Sequence, residues 1–159
     1  MAKTIPSQRS VYIAAAIVIV VTAWWAVLFV PRLDMHPKAI KDGAADSSRM
    51  FFKVQLTAAV VLLACVILSQ CGGRIIGGVI TGLLYLAAGL VLLHDFMVFN
   101  GAVYYLEEYE GFSAVAILML ICVGANLIAA ILAIRAGNKY RQLALPRDWR
   151  GPDEKEGSK

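Results

Sequence analysis

The chain has 159 residues, 60% of them hydrophobic and only 16% charged, with a mean hydropathy of +0.71. Soluble domains run near 45–50% apolar and about 25% charged, so a water-soluble globular domain is excluded and one integral membrane domain in contact with the lipid bilayer is expected. The net charge of +4 lies outside the apolar stretches. It has no aromatic interleaving of the kind that binds single strands, so no nucleic-acid partner is expected and the basic residues report topology instead.

Residues 1–10 are polar, and residues 11–30 then run without a charge. At ~1.5 Å per residue that stretch crosses the ~30 Å hydrocarbon layer. A secretory signal peptide fits less well, because its apolar core is shorter and an Ala-x-Ala pattern should follow it. Trp24, Trp25 and Phe29 near the far end, followed by Pro31, are expected to form an interfacial anchor and a helix stop.

Residues 31–45 form a loop punctuated by Pro31, Pro37 and Gly43, and Asp46, Ser47 and Ser48 are good helix-start residues. The second span is placed at 51–70, on a helix whose first turns lie among headgroups. Arg49, Lys53 and Thr57 recur every fourth residue and share a face, directed either at lipid phosphates or at another part of the chain.

The hinge Cys71-Gly72-Gly73-Arg74 is so short that the second and third spans must form an antiparallel hairpin. The third span, 75–93, carries Gly78, Gly82 and Gly89 on one face. Such small-residue stripes let helix backbones approach closely in lipid, where apolar burial drives little association. His94 and Asp95 follow at its outer end. Both are expected in the wet interface, and since adjacent positions do not face each other on a helix they do not read as a preformed pair. The competing reading is a proton or ion site built from His94, Asp95, Glu107, Glu108 and Glu110.

Asn100-Gly101 is expected to be a turn, and residues 102–108 a short helix lying on the membrane with Tyr104, Tyr105 and Tyr109 at the interface. The fourth span, 112–134, begins a ladder of Ala125, Ala129, Ala133 and Gly137 at strict fourth-residue spacing, a second helix-packing face. Gly137-Asn138 reads as its stop, and residues 138–159 as a flexible charged cytoplasmic tail with Pro146, Trp149 and Pro152.

Four spans put both termini on one side, with ten Lys and Arg there (Lys3, Arg9, Arg74, Arg135, Lys139, Arg141, Arg147, Arg150, Lys155, Lys159) against five on the other (Arg32, Lys38, Lys41, Arg49, Lys53). The positive-inside bias places the termini in the cytoplasm, at a plasma (inner) membrane. The first outer segment is then basic and the second acidic. Docking of Arg49 or Lys53 on Glu107 and Glu108 would make a small outer cap, at about 0–1 kcal/mol for each exposed pair.

Chemistry is sparse. There is no nucleophile elbow, phosphate loop or HExxH, hence no catalytic residue is identified. Cys65, Cys71 and Cys122 lack disulfide or zinc spacing and read as packing residues. The only histidines are His36, in a polar loop, and His94, so haem ligation inside the bundle and a metal site are both disfavoured and no cofactor is expected. Gln55 and Asn126 are the best-placed hydrogen-bond formers between spans. No acid lies in the first or fourth span, which argues against a carrier using a mid-membrane carboxylate there.

The sequence thus describes an all-α, four-span antiparallel bundle. Its leading functional reading is a non-enzymatic accessory or structural subunit that packs against other membrane subunits or its own copies. A small oligomeric ion channel or transporter with an acidic outer vestibule is the alternative, and a quinone- or haem-linked redox subunit the third. On the leading reading, leucine at Ala129 and Ala133 should disturb assembly more than insertion.

Overall fold

A computed structural model of the chain describes residues 6–31, 43–71, 74–108 and 113–145, the 101–108 segment by its backbone alone. Helix α1 spans Pro6–Trp24 and continues into a π-helical turn, Trp25–Phe29. Helix α2 spans Ala44–Leu68, α3 spans Arg74–Glu108 and α4 spans Ser113–Ala144. Among the described residues, four helices are long and apolar enough to cross a membrane.

They pack as a ring in which α1 touches α2, α2 touches α3, α3 touches α4 most extensively, and α4 returns to α1. At one end the Gln8 amide donates to the Ser69 carbonyl at 2.8 Å, while at the other Trp25 meets Phe51 edge-on. Along the α3–α4 contact, Thr81 lies against Gly137 and Asp95 against Asn126.

Buried positions recur at alternating three- and four-residue steps: Val11, Ala14, Val18, Val21 and Trp25 on α1, and Ile80, Leu84, Ala87, Val91, His94 and Val98 on α3. That spacing keeps one stripe of each helix facing the bundle axis. The opposite stripes are also apolar and point outward, with Ile75 85% and Val27 71% exposed. Soluble monomers avoid so continuous an apolar exterior.

In the half of the core nearer the termini, each helix contributes an adjacent alanine pair: Ala14-Ala15, Ala58-Ala59, Ala87-Ala88 and Ala129-Ala130. Small side chains from all four helices meeting in one cluster allow close backbone approach, which supplies dispersion energy where lipid is as apolar as the core. The Thr22 and Thr81 hydroxyls donate to the carbonyls of Val18 and Gly77 four residues back, so these buried groups cost little.

The boundaries differ from expectation at four places. Helix α3 does not turn at Asn100-Gly101; the Asn100 amide donates to the Phe96 carbonyl at 2.7 Å and is absorbed into the helix surface, so residues 102–108 continue the same helix. Helix α4 runs past Gly137-Asn138 to Ala144, because glycine is needed there for side-chain clearance and not as a stop. Helix α2 begins at Ala44, two residues before Asp46, after Gly43 in the left-handed conformation that glycine adopts without penalty (φ +74°). Trp25 and Phe29 are buried core residues rather than interfacial anchors.

The two candidate packing ladders are placed on opposite sides. On α4, Ala129, Ala133 and Gly137 are buried in the bundle and Ala125 is half-buried. On α3, Gly78, Gly82 and Gly89 are exposed, and a Cβ at any of them would meet nothing within 4 Å. At Gly137 a Cβ would sit 3.1 Å from Tyr85 Cε1, and the Tyr85 ring is tethered because its hydroxyl donates to the Asn138 side-chain carbonyl. Alanine substitutions should therefore act with opposite signs. Gly82→Ala should raise the melting temperature in detergent, since it gains roughly 0.5–1 kcal/mol of helix propensity without a clash. Gly137→Ala should lower it, since overpacking of about 1–3 kcal/mol outweighs the same gain. Equal shifts for the two would contradict this packing.

Candidate functional site

The apolar core is interrupted by one polar layer. Val18, Ala58, Val91 and Ala129 end the larger cluster, Val21, Val98, Met119 and Cys122 belong to a second one, and Gln55, His94, Asp95 and Asn126 lie between them. Helical spacing accounts for their meeting. His94 follows Val91 by three residues and Asp95 by four, so both continue the buried stripe of α3, one on each flank.

All four helices contribute. Asn126 of α4 and Gln55 of α2 form a reciprocal amide pair, Gln55 Nε2 donating to Asn126 Oδ1 at 3.0 Å and Asn126 Nδ2 to Gln55 Oε1 at 3.2 Å. Asn126 Nδ2 also donates to Asp95 Oδ1 at 2.9 Å and lies 3.3 Å from His94 Nδ1. His94 Nδ1 is 3.3 Å from Asp95 Oδ1. From α1, the Trp25 indole stands edge-on to the His94 ring with centroids 5.2 Å apart, and Phe29 and Phe51 pack around the indole at 4.8 and 6.3 Å. Gln55–Asn126 and Trp25–His94 thus bridge the two diagonals of the ring and cross in one layer.

Along the helices the layer lies six residues from Asn100, where the α3 window ends (100 − 94), and four from Phe29 on α1 (29 − 25). Gln55 is nine residues beyond Asp46, where the α2 window begins (55 − 46), and Asn126 nine beyond Ile117 on α4 (126 − 117), which is ~13 Å of helix in each case. The expectation that His94 and Asp95 stand in the wet interface is corrected by their burial among the helices: His94 is 0% and Asp95 6% exposed. They also approach each other although adjacent in sequence, because one oxygen of Asp95 turns back toward the near ring nitrogen.

Three polar atoms in this layer have no hydrogen-bond partner among the described residues: Trp25 Nε1, His94 Nε2 and Asp95 Oδ2. A buried donor or acceptor left alone costs about 1–3 kcal/mol, and ionisable groups inside a membrane are expensive and mark functional sites. Here the unpartnered atoms belong to three adjoining side chains. Toward the loop end the layer is roofed by Phe29, Val98, Met119 and Cys122; toward the termini the core is thicker, with Val91, Ala88, Leu84 and Ile80 of α3 successively buried.

The remaining candidates are not brought to this site by described contacts. Glu107 and Glu108 fall where only the backbone is described and Glu110 outside the described residues, so the acidic vestibule and its docking on Arg49 and Lys53 lie beyond them. Lys53 is exposed, and Arg49 is 3.6 Å from Asp46 in an exposed pair one turn away. His36 and the segment from Pro146 to Lys159 also lie outside the described residues. Among the described residues no group of three or more His, Cys, Asp or Glu converges to hold a metal.

Sequence reasoning singled out Gln55 and Asn126 as hydrogen-bond formers but joined neither to His94 and Asp95, and it put Trp25 at the interface. One signal was available: Val11, Val18 and Trp25 are spaced by seven, as are Leu84, Val91 and Val98, so the phase of each stripe already aims Trp25 and His94 inward. No protein-family model, curated protein or solved structure matches this chain, so its function is read from the polar layer itself.

Proposed function

We propose that the chain is a small multi-pass membrane protein, an antiparallel four-helix bundle with both termini in the cytoplasm at the plasma (inner) membrane, and that it serves as a binding subunit of a membrane assembly. Its working part is the buried His94–Asp95 pair with Trp25, in the half of the bundle nearer the outer loops. The observation that carries this is the set of unpartnered polar atoms on these three adjoining buried residues. A purely structural subunit has no need to bear their desolvation cost. The antiparallel order is supported by the Gln8–Ser69 and Trp25–Phe51 contacts at opposite ends of one helix pair.

The channel alternative loses weight, because the layers from Val91 down to Ile80 are aliphatic at the bundle axis and a conducted ion would find no ligands there. Mild extraction from the native membrane followed by native mass analysis tests the binding reading. The native chain is expected to retain a small molecule that Asp95→Asn sheds at least tenfold more readily, while any protein partner is retained by both. Identical adducts on both proteins would overturn the reading, and Asp95-dependent proton flux in liposomes would move the channel alternative to first place.

Assembly with other helices is favoured by a separate observation, the outward glycine stripe Gly78, Gly82 and Gly89 with open space at each Cβ position. On this reading Gly82→Leu and Gly89→Leu together leave the isolated chain folded but remove its higher-mass assemblies; unchanged assemblies would exclude that face.

A further inference from the structure

Counting hydrogens in the polar layer determines which nitrogen of His94 is bare. Asn126 Nδ2 carries two hydrogens but has three acceptors in reach: Gln55 Oε1 at 3.2 Å, Asp95 Oδ1 at 2.9 Å and His94 Nδ1 at 3.3 Å. The reciprocal amide pair with Gln55 uses one hydrogen, and the shorter Asp95 contact takes the other. Turning both amides over would keep their mutual pair but set the Asn126 carbonyl oxygen against Asp95 Oδ1, so an Oδ1 without a hydrogen selects the orientation given. His94 Nδ1 then receives nothing from Asn126. Its remaining neighbour is Asp95 Oδ1 at 3.3 Å, an acceptor, so Nδ1 bears the hydrogen and, in the neutral ring, Nε2 is a lone-pair acceptor without a donor.

The edge-on neighbour of that ring, Trp25, has the complementary defect: its Nε1–H is a donor without an acceptor. An ammonium group would satisfy Nε2 but leave the indole N–H unmet. A carbonyl would satisfy the indole and leave Nε2 unmet. A hydroxyl group satisfies both, because its hydrogen donates while its oxygen accepts. We infer that the layer holds His94 as the Nδ1–H tautomer through Asn126 and Asp95 and takes a hydroxyl group, whose O–H donates to His94 Nε2 and whose oxygen accepts the Trp25 indole N–H. A water molecule supplies this chemistry with a second hydrogen for Asp95 Oδ2; a membrane-soluble alcohol or phenol supplies it with one.

This rests on the binding reading above, but nitrogen spectra report the site whether or not any partner is retained, so the two fail separately. The test is nitrogen-15 NMR of the full chain in nanodiscs, with His36→Asn leaving a single histidine. The native ring is expected to show a protonated Nδ1 and a bare Nε2. Phenol is the probe and anisole, its methyl ether, the control without a donor. If phenol shifts His94 Nε2 and the Trp25 indole N–H saturably and anisole does not, the occupant is a membrane-soluble hydroxyl compound, and Trp25→Phe should weaken the phenol response about fivefold, the worth of one neutral hydrogen bond. If phenol moves neither but the indole N–H exchanges magnetisation with a long-lived bound water, the hydroxyl is that of water. Three results would overturn the inference: a native ring protonated at Nε2, a response to anisole as strong as to phenol, or neither a phenol response nor a bound water.

Discussion

Leucine at both Ala129 and Ala133 is expected to destabilise the fold strongly, and not merely to disturb assembly. Each alanine is 1% exposed, in a cluster that contains the alanine pairs of α1, α2 and α3. Added methylenes therefore enter a filled core in which Leu62, Ile80, Leu84 and Val91 are already buried. Overpacking costs about 1–3 kcal/mol per site, so the pair removes roughly 2–6 kcal/mol from a stability of order 5–15 kcal/mol. Circular dichroism melting in detergent should show a much lower or non-cooperative transition, whereas the protein with leucine at Gly82 and Gly89 should melt at or above the native temperature. A native-like melt for the Ala129→Leu, Ala133→Leu protein would mean that this ladder faces a partner, as its spacing alone suggested.

The second large effect is expected at Asn126. Its amide nitrogen and oxygen bond Gln55 and Asp95, so Asn126→Leu removes the group that ties α2 to α3 through α4. Interhelical hydrogen bonds in bilayers average only about 0.6 kcal/mol, but here the loss also strands the Gln55 amide in an apolar core, at about 1–3 kcal/mol, and leaves Asp95 Oδ1 with His94 Nδ1 alone. A net loss near 3 kcal/mol is expected in a reversible detergent unfolding titration. Gln55→Leu combined with Asn126→Leu should cost clearly less than the sum of the two singles, because the double variant no longer strands an amide. Strict additivity would show that the pair does not bond.

Several features of this molecule are local and could be read along the chain. Uncharged runs such as Val11 to Val30 exceed the hydrocarbon thickness whatever surrounds them, and the short Cys71 to Arg74 hinge leaves the flanking helices little choice but adjacency. The polar residues within the spans were equally visible. Gln55 and Asn126 stood out because hydrogen-bond capacity in hydrocarbon demands a partner.

Helix termini were read less well. Asn100-Gly101 and Gly137-Asn138 carry turn chemistry, yet both lie within helices, since local preferences worth about 1 kcal/mol yield to packing along a whole helix. At Gly137 the deciding contact is Tyr85, 52 residues earlier (137 − 85), and no local window contains it.

Hydropathy and spacing, then, suffice for the number and inward phase of the helices, because each depends on one segment and the solvent around it. They do not say which layer of one helix stands opposite which layer of another. Two glycine or alanine ladders look alike in a linear chain, and only the register of α3 against α4 turns one inward and leaves the other on the surface. The same register carries His94 and Asp95 from an expected wet boundary into a buried layer with Trp25, Gln55 and Asn126. A side chain's environment is set by neighbours from all four helices at once, so the chemistry of this site came from packing distance and not from sequence distance.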